Sequence, residues 1–507
     1  AQDTFVRFPA ASMAADMEAL EMLRALVVTH LGKRSVSDVL SIMADPSVPF
    51  RLCSVHMGRY DLQLEAFEEV SAERAIGRHA VEDHGNLAGD ADAIDSISAV
   101  GFLPKVAAAA IFARAAYGAL MRRGGGDQVH AFIGGAAAAA VGRWNATAHV
   151  DALVELAGIA RQDVLFSSWH EETFEPAFAV FWEHRFRWLV LTVRGSSEWK
   201  SILTDVAAVT CEVVGGRAHS GMVRAARWVV DQARPALVAA LDQFPDYTVV
   251  CTGHSLGADV AALVAVLLRA EAGLVGEPRD GEAATDTWEG NAVKAAMGRA
   301  VAYAIGSSPI MSAELADSCA PFVLSVARNI DYITRLSVFG MDRLILELTE
   351  QSAPKLAKQW LISKFGLVGE GRSTARKRAF GENASVAEVL VSPGRLLHVD
   401  RRREGAPRLR WALPGFYHEM LIGPSMFHDH LPIRYVEDLL QAVQGFRPGD
   451  PPLELKNNAG NPGAQRQILA RLWATSARSP PAPYPGPPRV CVQRAEQTPF
   501  SVATEAR

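Results

Sequence analysis

YTVVCTGHSLGADVAALVAVLLR, residues 247–269, is the stretch that decides the fold. Residues 247–251 (YTVVC) are short, mostly apolar and rich in β-branched side chains, which reads as a buried strand. Residues 258–269 (ADVAALVAVLLR) read as a helix. Between them lies Gly253-His254-Ser255-Leu256-Gly257, a turn of the form G-x-S-x-G. A bare G-x-S-x-G arises by chance in roughly one chain in six of this length, so its flanks carry the weight. A strand running directly in and a helix running directly out are what a nucleophile elbow requires. Such a turn holds the serine in a strained backbone conformation. Gly253 and Gly257 are needed because side chains there would strike the neighbouring strand and helix. Ala258, Ala261 and Ala262 keep the exiting helix small on the same side.

Outward from the elbow, the pattern repeats. Residues 177–182 (AFAVFW) and 186–193 (FRWLVLTV) read as adjacent strands with Glu183-His184-Arg185 as their turn. A helix is predicted over residues 220–241, and short apolar strands over 300–305 and 322–326. Strands alternating with helices predict an α/β fold: a mostly parallel central sheet with helices on both faces, as in α/β-hydrolases. An alanine-rich helix is predicted over residues 99–123, ending at Gly124-Gly125-Gly126. Residues 1–95 read as a mostly helical N-terminal region of unassigned role, with one helix over residues 13–31 capped by Ser12 and a loop over 81–95. The hydrolase domain is expected over residues 96–445. Residues 446–507, which include SPPAPYPGPP at 479–488, are expected to form a Pro-rich disordered tail.

A serine hydroxyl is a poor nucleophile near neutral pH. It needs a histidine to take its proton and a carboxylate to orient that histidine. In this fold the chain order is Ser, then acid, then His. Asp331 follows the predicted strand at 322–326 and is the expected acid; Asp317 precedes that strand and is expected to face solvent. Beyond Asp331 stand His398, His418, His428 and His430. His398 falls in a predicted strand (RLLHV) and His418 just before another (EMLI). His428 and His430 lie in a late loop, where a general base belongs, and one of the two is expected to serve. An extended loop would point both the same way. The oxyanion needs two donors: the backbone N–H of Leu256, and Ser196 in the loop after the strand ending at Val193. Trp199, Ile202, Leu203 and Val206 share one face if residues 197–206 are helical, which makes them a candidate lid.

Composition excludes other classes. The chain has 507 residues, 49% of them hydrophobic, enough for a large core and accessory segments. Its formal charge is 51 − 56 = −5, so no basic field exists to hold nucleic acid. Its five cysteines include no C-x-x-C pair, and neither a disulfide framework nor a metal site is expected. No cofactor is expected either. No apolar run reaches ~18 residues, so no transmembrane helix is expected in this chain. Its location is expected to be cytoplasmic or peripheral to a membrane, the sequence leaving the two open.

These residues resemble a known family. LVLTVRGSSEWKSILTDV at 189–206, HSGM at 219–222 and VVCTGHSLGADVAAL at 249–263 are similar to the class 3 (fungal-type) lipases. FARAAYG at 112–118, DVLFSSWHEETFEPAFAVFWEH at 163–184, SPGRLLHV at 392–399 and MFHDHLP at 426–432 narrow the resemblance to sn-1-specific diacylglycerol lipases. The resemblance implies Ser255 as nucleophile, Asp331 as acid and His430 as base, with Ser196 and Leu256 at the oxyanion hole. It implies hydrolysis of the sn-1 ester of diacylglycerol to a monoacylglycerol and a fatty acid, at a membrane or lipid-droplet surface. It also implies a regulatory insertion between acid and base, at about residues 341–388. The family's usual V-P-R-L after the acid reads Ile333-Thr334-Arg335-Leu336 here. Alternatives are a triacylglycerol lipase or phospholipase A1 of the same fold, or a non-catalytic scaffold binding a lipid or a partner protein.

Overall fold

The computed structural model describes residues 47–71, 74–75, 101–121, 145–170, 172–195, 210–273, 291–350, 389–401, 406–445 and 462–476. In chain order its strands are β1 (Glu68–Glu69), β2 (Val164–Ser168), β3 (Phe178–Glu183), β4 (Trp188–Val193), β5 (Thr210–Val213), β6 (Gly216–His219), β7 (Thr248–His254), β8 (Val301–Ile305), β9 (Val323–Arg328), β10 (Arg395–Asp400) and β11 (Arg408–Ala412). Nine of them form one sheet in the order β1-β11-β10-β9-β8-β7-β4-β3-β2, while β5 and β6 make a separate hairpin. The central run β4-β7-β8-β9-β10 is parallel, and both edges are antiparallel. The parallel strands β4, β8 and β9 are buried along their whole length. That is why they read as continuous apolar runs rather than alternating ones. The chain has an α/β-hydrolase fold.

The helices in order are α1 (Ser47–Glu65), α2 (Leu103–Ala115), α3 (Ala146–Ala157), α4 (Ser220–Gln243), α5 (Leu256–Glu271), α6 (Asn291–Met297), α7 (Ala313–Cys319), α8 (Val338–Glu350), α9 (Pro432–Gly445) and α10 (Pro462–Ser476). α2 (LPKVAAAAIFARA) is buried except at Lys105, and its alanines let it lie close on the sheet. Thr192 on β4 and Thr252 on β7 donate hydroxyl bonds to the carbonyls of Phe112 and Ala109 on α2, at 3.1 and 3.2 Å. α4 and α5 pack together against the sheet on its other side.

Several expectations differ from the structure. The alanine-rich helix ends at Ala115, not near residue 123, because Gly118 turns into the left-handed region at φ +56° and a 3-10 turn follows. Residues 419–422 (EMLI) form no strand. Met420, Leu421 and Ile422 are instead buried in a cluster with Leu52, Tyr60 and Leu64 of α1. The segment before residue 96 contributes to the same body, since β1 pairs with β11 at the sheet edge. Arg59 on α1 also grips Glu347 on α8, at 2.7 and 3.0 Å. Within the region expected as a disordered tail, α10 buries Ile468, Leu469 and Leu472 in the main core. The Pro-rich stretch 479–488, the helix at 13–31, the loop at 81–95 and residues 351–388 lie outside the described residues. Among those described, no helix is long and apolar enough to cross a membrane.

Candidate active site

The elbow joins β7 to α5. Ser255 sits between them at φ 60°, ψ −134°, a conformation a non-glycine residue adopts only when its surroundings enforce it. The enforcement is visible. Ser255 N–H donates to the carbonyl of Ile305 on β8 at 3.0 Å, and the first turn of α5 hydrogen-bonds back to the Ser255 carbonyl. Gly257 must be glycine, because a Cβ there would lie 2.7 Å from the Arg194 carbonyl carbon and 2.8 Å from Gly195 N. Ser255 is fully buried, and its hydroxyl has no hydrogen-bond partner among the described residues. Leu256 is the first residue of α5, so its N–H has no carbonyl to meet within the helix. Gly195, the last described residue before Ser196, passes close by: a Cβ on it would come within 3.1 Å of Ser255 Cβ. Ser196, Trp199, Ile202, Leu203 and Val206 lie outside the described residues.

Asp331 stands just past the carboxyl end of β9, two strands from β7 in the sheet. Ligand sites of open parallel sheets form at this end of the strands. Its carboxylate is wholly buried and takes three donors. Ile333 N–H reaches Oδ1 at 2.8 Å, while His430 Nδ1 and the Tyr435 hydroxyl reach Oδ2 at 2.8 and 2.5 Å. Tyr435 itself accepts from Arg328 N–H at 3.2 Å. Gly306, at φ +65°, leaves room for this cluster; a Cβ there would lie 3.3 Å from both Asp331 Oδ2 and the Tyr435 hydroxyl. Asp317 is exposed on α7.

The two neighbouring histidines part company. Residues His428–His430 form a 3-10 turn rather than an extended loop, so positions two apart point in different directions. His430 is buried against Asp331. His428 is half-buried and its Nε2 accepts from Arg434 Nε on α9 at 3.1 Å. Burial, with Arg434 and then Arg328 nearby, pushes His428 down to about 4. Asp429 between them is buried and ties this turn to the one that carries Asp331. It pairs with Arg328 Nη1 and accepts from Asn329 Nδ2 at 3.0 Å and Ser425 Oγ at 2.7 Å. Arg328 also reaches Asp438 on α9 through Nε at 2.6 Å. His398 is not in the site: it is buried between the hydroxyls of Tyr60 and Tyr417, at 2.8 and 2.6 Å.

Sequence reasoning passed over Tyr435, Asp429 and Arg328, whose roles depend on contacts across about 100 residues of chain. It also passed over Asp259, the fourth residue of α5. This buried carboxylate takes Ser307 Oγ at 2.7 Å, Ser308 N–H at 2.8 Å and Ser308 Oγ at 2.6 Å, pinning the segment after β8. Burial raises it to about 7, against the lowering effect of those bonds. A carboxyl raised on folding holds a proton that the unfolded chain releases, so stability falls as pH rises from 3.8 to about 7. Asp259→Asn removes that loss. Measured by denaturant midpoint, the variant should gain on wild type across this window by up to about 4 kcal/mol, with no further gain at higher pH. A gap that stays constant with pH would contradict this.

Residues 190–341 match the family lipase (class 3). The chain is 26% identical over 340 residues to diacylglycerol lipase-beta of Mus musculus, covering 56% of this chain and 47% of that protein. It is 24% identical over 327 residues to diacylglycerol lipase-alpha of Homo sapiens, covering 57% of this chain and 29% of that one. The matched part thus spans less than half the length of either relative. A mono- and diacylglycerol lipase from Aspergillus oryzae overlays at 19% identity and a TM-score of 0.32, over 46% of this chain and 73% of that one. At that score the overlap is too loose to carry an argument.

Proposed function

We propose, from the match of residues 190–341 to the class 3 lipases, that this chain hydrolyses lipid esters through an acyl-enzyme on Ser255. The observation that carries the reading is the buried Asp331–His430 pair at 2.8 Å, in the same protein body as a serine held at φ 60° on a strand-to-helix elbow. In this reading His430 takes the Ser255 proton as the hydroxyl attacks the ester carbonyl. Its cationic form is stabilised by Asp331, whose charge is steadied by Tyr435 and Ile333 N–H. The tetrahedral oxyanion is met by the N–H of Leu256 and by Ser196. His430 then protonates the leaving alcohol, and water releases the acid by the same route in reverse. No step calls for a cofactor.

Diacylglycerol is the proposed substrate, giving a monoacylglycerol and a fatty acid. Similarity to the diacylglycerol lipases supports this choice. The substrate's insolubility places the work at a membrane or lipid-droplet surface. The test is a hydrolysis panel of diacylglycerol, triacylglycerol, monoacylglycerol and phosphatidylcholine in mixed micelles. Diacylglycerol should be cleaved at least about tenfold faster in kcat/KM than the rest, a difference of about 1.4 kcal/mol in transition-state binding. Preference for triacylglycerol or phosphatidylcholine would redirect the reading to a triacylglycerol lipase or a phospholipase A1. No hydrolysis of any of the four would leave a binding scaffold.

A further inference from the structure

His254 precedes the nucleophile, yet its side chain points away from solvent and is fully buried. Its Nε2 lies 2.7 Å from the main-chain carbonyl oxygen of His430. A carbonyl only accepts, so Nε2 carries the proton and donates. Its Nδ1 lies 2.9 Å from the Tyr117 hydroxyl, just past the end of α2. Burial, and then the neighbouring His430, push His254 well below its ordinary value, so the ring is neutral. With Nε2 protonated, a neutral ring has a lone pair on Nδ1, and the Tyr117 hydroxyl donates to it. The His254 ring also packs on the His430 ring, with centroids 4.5 Å apart and planes inclined by 34°. Tyr117 reaches one step further, because its hydroxyl crowds the space a Cβ would fill at Gly195.

We propose that Tyr117 and His254 form a positioning pair for the base: Tyr117 donates to Nδ1 and holds the His254 ring in place, and His254, through Nε2–H, holds the main chain of His430 in register with the elbow. Asp331 fixes the ring of His430 through Nδ1, and within its own turn the His430 N–H donates to the Phe427 carbonyl. The His254 bond adds a direct tie from that turn to the elbow. Because His254 is the immediate chain neighbour of Ser255, it ties the base's backbone to the nucleophile's own turn. A misplacement of about 1 Å in such a group lowers turnover by about 10²-fold.

The inference rests on His430 being the base, so His430→Ala is measured alongside. The probe is p-nitrophenyl butyrate, with full-length protein and kcat and KM determined separately. His254→Ala should lower kcat about 10- to 100-fold and leave KM within about twofold. His254→Gln returns a donor near the Nε2 position and should recover most of that loss. His254→Asn, one bond shorter, should not. Tyr117→Phe removes a single oxygen at a helix end, and should lower kcat several-fold. In ¹⁵N-histidine spectra His254 should stay the Nε2–H tautomer, with its Nδ1 signal shifted by loss of the Tyr117 hydrogen bond. If His254→Ala folds poorly, Tyr117→Phe carries the test. Unchanged kcat in Tyr117→Phe with an unchanged Nδ1 signal overturns the proposal, as does equal activity of the Gln and Asn variants. If His430→Ala is inactive while His254→Ala turns over like wild type, this inference falls alone. If His430→Ala stays active, the reading of the site itself falls first.

Discussion

Ser255→Ala should lose ester hydrolysis by on the order of 10³–10⁶ in kcat while folding at least as well as wild type. Both halves of that result come from the same geometry. The substitution removes one oxygen and keeps the Cβ, so the strained φ of 60° and the bond from residue 255 N–H to Ile305 are retained. The oxygen it removes is buried and lacks a hydrogen-bond partner among the described residues. A buried hydroxyl left so costs about 1–3 kcal/mol of stability, so its loss should hold or raise the melting temperature. Active sites characteristically keep such strained or unsatisfied groups at the expense of stability. A serine-reactive fluorophosphonate should label wild type and not the variant. Persistent labelling would put the nucleophile elsewhere.

His430→Ala should abolish turnover, by on the order of 10³–10⁶, and weaken fluorophosphonate labelling of Ser255. His428→Ala should remain within about tenfold of wild type. The separation follows from what each ring touches. His430 is buried with Nδ1 on Asp331, so removing it leaves a buried carboxylate short of a donor and, in the proposed mechanism, the serine without its base. His428 is held down to about 4 and accepts from Arg434, so it is neutral and already engaged at Nε2 near pH 7. Its loss removes a half-buried contact on α9, not a proton acceptor for Ser255. The comparison is made on folded proteins of matched melting temperature. The reverse ranking would move the base to His428 and leave the serine and acid standing.

The chain's local signals determined much of this by themselves. The elbow is legible because its requirements are local: an apolar strand, two glycines four residues apart in a G-x-S-x-G turn, and an alanine-bearing helix. The parallel strands are legible for a similar reason, since burial on both faces leaves an unbroken apolar run. Asp331 is legible by chain order and by its place after β9. Less was legible where local pattern and packing disagree. Residues 419–422 look like a strand, but their apolar side chains bury against α1 without joining a ladder. α10 is weakly patterned, yet it docks because α2 and α3 offer it an apolar face.

What only tertiary structure decided are the contacts that join distant turns. Residue types and spacing left His428 and His430 equivalent, and resemblance alone favoured His430. The 3-10 turn then gave each ring a different neighbour, Arg434 for one and Asp331 for the other. Tyr435 on Asp331, Asp429 on Arg328, and Tyr117 on His254 lie 104, 101 and 137 residues apart in the chain. A lone tyrosine or aspartate carries no periodic or turn signal, so nothing local distinguishes it from a surface residue. Its role arises when folding strips water from both partners and makes an unmet buried polar group costly, which is a property of the assembled core.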